Sequence, residues 1–128
     1  MPVAAHVLVI LTLLGDGQLS AAFVNTDDRA ACEQRSAAIG AVLKRGAAEV
    51  QQMRCVASPL RFTRFSHADA ATAPRHAYRM LLGDAALALS PVEDVDQCRR
   101  RSGDADRPDG VEIHCVTATQ QPLPDGDR

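Results

Sequence analysis

Four cysteines, Cys32, Cys55, Cys98 and Cys115, are the residues whose type and spacing bear most directly on chemistry. Thiolates can hold zinc, exchange electrons or pair as disulfides. Zinc sites present their ligands in close pairs, because one turn must aim two side chains at one ion. Here successive cysteines stand 23, 43 and 17 positions apart, with no C-x-x-C or C-x-x-H knuckle. The spacing favours paired structural cysteines over a metal site, and the elements that carry them make Cys32–Cys55 and Cys98–Cys115 the candidate disulfides.

The other chemistry-bearing types give weaker patterns. His6, His67, His76 and His114, with Met53, Met80 and the cysteines, are the ligand types of a soft copper site. They show no ligand spacing, and His114 and Cys115 are neighbours that point to opposite faces of an extended segment. "FSHAD" brings together Ser66, His67 and Asp69, the residue types of a hydrolytic triad. Triads are assembled from separate parts of a scaffold, and no nucleophile elbow accompanies these three. Arg99, Arg100, Arg101 and Arg107 stand beside Asp104, Asp106 and Asp109, which neutralise a phosphate-binding patch. "RFTRF" has the Arg–Phe interleaving of a single-strand nucleic-acid surface, but core Phe and outward Arg on one strand explain it equally. "LLGDG" and "LLGDA" lack the Gly-Lys-Ser/Thr of a phosphate loop. The expectation is therefore no catalytic residue, no metal site and no bound cofactor.

Composition sets the frame for these residues. The 128-residue chain carries a formal charge of −2 with acids and bases mixed, which gives no general attraction to nucleic acid or anionic membrane. Lys44 is the only lysine, an arginine preference that fits a GC-rich bacterial genome. Phe23, Phe62, Phe65 and Tyr78 are the only aromatics, so the core must be built mostly from Ala, Val and Leu. No apolar run approaches the roughly 20 residues that span a bilayer, and the chain reads as a small soluble protein.

The elements that must position the cysteines are legible. Asn25, Thr26, Asp27 and Asp28 supply N-cap candidates for a helix that runs to about Arg45, with Gly46 as its cap. Cys32, Ser36, Ile39 and Leu43 form one apolar stripe along it, with Val42 alongside. A strand over about Glu49 to Ala57 puts Met53, Cys55 and Ala57 on one face. The helix covers about 20 Å from Cys32 to its end, and the strand covers about 17 Å from its start to Cys55. A strand returning along the helix brings the two cysteines level. In the second half, a short helix from Val92–Asp94 carries Cys98, and a strand over Val111 to Thr117 carries Cys115. There the levels match less cleanly.

The opening stretch "HVLVILTLLGDGQLSAAF", from His6, has two readings. As a signal peptide it offers an apolar region and the small residues of "SAA" before Phe23, but no Lys or Arg precedes it. As structure it is two strands joined by a Gly-Asp-Gly turn. An echo favours strands. Leu13 to Cys32, "LLGDGQLSAAFVNTDDRAAC", resembles Leu81 to Cys98, "LLGDAALALSPVEDVDQC", and "VQQMRCVAS" resembles "GVEIHCVTA".

These observations predict an α+β protein with an antiparallel-rich sheet and helices packed on one face. It is built from two weakly similar β-β-α-β units, 1–58 and 76–118, joined by a connector over 59–75. Residues 119–128 are expected to form a disordered tail. The function expected is that of a non-enzymatic binding or protein-interaction module, with a protein partner or self-association and neither nucleic acid nor a membrane span. The alternatives are a metal- or redox-responsive protein using Cys, His and Met, and a periplasmic protein bearing a signal peptide. Strands at 6–23 favour the cytoplasm, and a signal there favours the periplasm or secretion.

Overall fold

The computed structural model describes residues 5–46, 49–65, 72–101 and 110–123. Two apolar hairpins open the two halves. The first joins β1 (His6–Leu13) to β2 (Leu19–Thr26), and the second joins β4 (His76–Leu82) to β5 (Leu87–Pro91). Each hairpin is followed by a helix and a returning strand: α1 (Arg29–Lys44) and β3 (Glu49–Ala57), then α2 (Val95–Arg101) and β6 (Glu112–Ala118). The residues quoted as a possible signal are thus β1 and β2, and Val7, Leu8 and Val9 of β1 are wholly buried.

Capping explains where both helices start. Asp28 accepts from the Ala31 amide at 2.7 Å, and Asp94 accepts from the Gln97 amide at 2.7 Å. Along α1, Cys32, Ile39 and Leu43 pack toward Leu8 and Ile10 of β1. Val42 leaves the expected stripe and is 67% exposed, because it sits on the solvent side of the last turns.

The six strands form one open sheet in the order β3-β1-β2-β6-β4-β5. Pairing is antiparallel except between β2 and β6, which run parallel and meet only at Leu19–Val116 and Ser20–Thr117. Both helices lie on the same face. Ala22 and Val24 pack with α1, Cys115 and Ala77 pack with α2, and the paired Ser20 and Thr117 carry that face across the join.

The opposite face holds the main core, which includes Val9, Leu11, Phe23, Val56, Met80, Leu82 and Val116 from both halves. No helix covers it. Phe62 covers it instead: it comes from the segment between the halves and stacks on Phe23 with centroids 4.0 Å apart. The sheet curls over this core until its ends approach, and the Ala57 amide donates to the Asp84 carbonyl at 3.0 Å.

Two expectations need correction. The segment from 119 is not a loose tail at its start: Gln120 is 2% exposed, Pro122 bridges to Phe62, and the Leu123 amide donates to the Arg61 carbonyl at 2.8 Å. Residues 124–128 lie outside the described residues. The "LLGD" echo is also out of register. Leu8 stands opposite Cys55 and Arg79 opposite Cys115, so matching the cysteines aligns Leu11 with Leu82 rather than Leu13 with Leu81.

Candidate interaction site

Each half brings two cysteines together. The sulfurs of Cys32 and Cys55 lie at bonding distance with Cα atoms 6.0 Å apart, and those of Cys98 and Cys115 do so at 5.9 Å. The second pair closes as well as the first, because α2 is short and Cys98 stands in its first turn, directly over β6. Each disulfide fastens a helix to the last strand of its own half.

Matching the halves through these cysteines shows where they differ. Phe23 and Leu89 occupy equivalent rungs, opposite Val9 and Met80, and each lies the same distance in sequence before its helix cysteine. Beyond the Leu11–Ala21 rung the first hairpin continues for two more, Thr12–Ser20 and Leu13–Leu19. The second hairpin stops at Leu82–Leu87, the rung equivalent to Leu11–Ala21. The two additional residues of β2, Leu19 and Ser20, are the ones that pair with Val116 and Thr117. Among the described residues, their absence from β5 leaves the outer side of Val56 and Ala57, the equivalents on β3, without a paired strand. The Asp84 carbonyl in the turn reaches Ala57 instead.

Side chains reinforce the contrast. Across the β2–β6 join, Arg75 donates to the Ser20 hydroxyl at 2.6 Å, to the Thr117 hydroxyl at 3.1 Å and to the Thr117 carbonyl at 3.2 Å. Gln120 accepts from the Phe23 amide at 2.8 Å and donates to the Phe23 carbonyl at 2.8 Å. Its amide group thereby stands in for a neighbouring strand, with one donor and one acceptor at strand spacing. Past the end of β3 the residue at the position of Gln120 is Leu60, which can do neither.

The unsealed end opens into a groove of about 660 Å³ between α1 and β3, walled by Met53, Cys55 and Ala57 on one side and Ser36 and Ala37 on the other. Its rim is charged. Arg54, with its side chain 22% exposed, donates to the Asp84 carboxylate at 2.7 Å, while Asp84 is 95% exposed. That hydrogen bond, and then the guanidinium charge, hold the Asp84 carboxyl below its ordinary value. Arg29 and Glu33, paired at 3.7 Å, complete the rim with His6. A counterpart of about 270 Å³ lies at the sealed join, lined by Leu19, Arg99, Ile113, His114 and Cys115. Arg99 replaces Glu33 there, and His114 replaces Arg54. His114 lies 2.9 Å from Glu112, whose carboxyl its hydrogen bond holds low.

The remaining candidate ligands are dispersed. His6, Met53 and Cys55 line the larger groove, His114 lies at the smaller one, and Met80 is buried in the main core. His76 sits at the start of β4, its ring 6.5 Å from that of Tyr78. Burial raises the Tyr78 hydroxyl above its ordinary value. Among the described residues, no three His, Cys, Asp or Glu side chains gather as a metal-binding group. Ser66, His67 and Asp69, and Asp104, Asp106, Arg107 and Asp109, lie outside the described residues. No described helix is long and apolar enough to cross a membrane. No protein-family model, curated protein or solved structure matches the chain.

Sequence reasoning found the cysteines but missed Arg54, Asp84 and Gln120. Only the unequal hairpin lengths carried a signal for them, and the out-of-register echo concealed it.

Proposed function

We propose that this protein is a non-enzymatic protein-interaction module whose working surface is the outer edge of β3 and the groove beside it. One observation carries the reading: β3 is a nine-residue edge strand without proline. Among the described residues, its outer backbone takes one hydrogen bond, from Ala57 to Asp84. Folded proteins usually blunt such an edge, since its free N–H and C=O groups template pairing with another chain. The other edge, β5, is blunted, with five residues ending in Pro91.

The reading treats the halves as two copies of one β-β-α-β unit, supported by their common element order and strand order. One copy has its outer strand edge sealed within the chain. The other keeps it available to a partner.

The test places a photo-crosslinking residue at Gln51, exposed on β3, and separately at Gln34, exposed on the outer side of α1. In the cells that make the protein, adducts with other polypeptide chains are expected from position 51 and not from position 34. Equal yields from both positions, or none from position 51, would refute the assignment.

A further inference from the structure

Asp84 contacts β3 at two points, and together they describe a ligand. Its carbonyl accepts from the Ala57 amide, as a neighbouring strand would, and its carboxylate accepts from Arg54. Arg29, across the groove, adds a weaker attraction to the same carboxylate. The residue making these contacts belongs to a turn, not a strand, and its side chain is almost wholly in solvent.

We propose that Asp84 is a built-in stand-in for an acidic residue of a partner polypeptide. The partner lies as an extended segment along the outer edge of β3, with its carboxylate on Arg54. This rests on the interaction-module reading and names the partner's chemistry. The sealed join supplies the geometry. β6, the equivalent of β3, is covered by β2 running parallel to it, with Leu19 at the level of Val116. A guest in the corresponding place runs parallel to β3 and sets a residue level with Val56, from which its carbonyl reaches the Ala57 amide. Alternation along the strand turns the amides of Met53 and Cys55 outward with that of Ala57, so a longer guest gains further backbone partners. An aspartate level with Val56 reproduces both contacts of Asp84.

Displacing Asp84 breaks one backbone hydrogen bond and one largely exposed ion pair, and exposed pairs contribute little to stability. The guest restores both contacts and adds its own ladder. Arg54 suits the role because its stem is packed and its fork is already aimed.

The probe is a blocked synthetic peptide, Thr-Val-Thr-Val-Asp-Thr, whose four residues before the aspartate lie level with Gln52 to Cys55, with the aspartate-to-asparagine peptide as control. Both are titrated into the full-length protein and followed by calorimetry and by amide chemical shifts. The aspartate peptide is expected to bind, to move the Ala57 and Arg54 resonances, and to exceed the asparagine peptide by about tenfold in affinity. Asp84→Asn, at an exposed position, should tighten binding several-fold by removing the competitor. Arg54→Gln should weaken it about tenfold, with its amide spectrum reporting whether it is folded. Absent binding, equal binding of the two peptides, or an Asp84→Asn variant with unchanged affinity would each overturn the proposal. If crosslinks from position 51 persist after such a failure, β3 still meets a partner, but not through an acidic strand.

Discussion

The two ends of the first half meet the second half in different ways. At the β2–β6 join, two rungs of parallel ladder are reinforced by Arg75 and by the surrogate strand of Gln120. At the β3–Asp84 contact, one backbone hydrogen bond and one exposed ion pair do the same task. The strand order, disulfides and helix placement are common to both halves, so the contrast comes from a few residues. It arises from two additional hairpin rungs and two polar side chains supplied by flanking segments. Local length differences, rather than a different fold, decide which edge of this sheet is closed.

The largest effect should come from the core that both ends share. Phe62→Ala removes the ring stacked on Phe23 and should cost about 3–5 kcal/mol, read from denaturant midpoints. A loss below about 1 kcal/mol would mean that Phe62 does not cover the core. Next is the sealed join itself. Gln120→Ala leaves the buried Phe23 amide and carbonyl without partners and should cost about 2–3 kcal/mol. Leu60, at the corresponding position, makes no such bonds to β5, so Leu60→Gln should not produce a gain of that size.

Much of this comparison was legible in the sequence, and some was not. Helix periodicity and strand alternation placed Cys32 level with Cys55, because both periods are fixed by backbone geometry. The acidic cluster before each helix supplied its cap, Asp28 and Asp94. Phe62 and Gln120 could not be read in this way. They act across separations of 39 and 97 residues, from segments without periodicity. "LLGD" misled because matching letters fell at different rungs, whereas the strand ladder follows the cysteines. Val42 failed for a simpler reason: an apolar residue beside a stripe need not face inward.

The disulfides sharpen the comparison through rate rather than stability. Cys55 is half-buried and lines the larger groove, whereas Cys98 and Cys115 are 2% and 9% exposed. Under limiting thiol reductant, Cys32–Cys55 should open first, as mass spectrometry of alkylated peptides would show. Equal rates, or prior opening of Cys98–Cys115, would contradict the openness assigned to the first groove.

The smallest effect belongs to the Asp84 contact. Asp84→Asn should leave the unfolding midpoint nearly unchanged, because the carboxylate is almost wholly in water. Its pH dependence has a definite sign. The Asp84 carboxyl titrates below its ordinary value, so the pair's contribution is complete above the ordinary aspartate range and is lost as pH falls through the lowered value. Amide shifts of Arg54 and Ala57 should follow that acid transition and lose it in Asp84→Asn. Persistence of the transition in the variant would assign it to another group.

Residue-resolved hydrogen exchange at neutral pH tests the central claim most directly, since it reads both ends in one sample. The outward amides of Met53 and Cys55 on β3 should exchange as exposed edge groups. The Phe23 amide, held by Gln120 at the sealed join, should be protected nearly as well as the central strand β1. Equal protection of Met53, Cys55 and Phe23 would show that the β3 edge is closed as well, and would contradict the account.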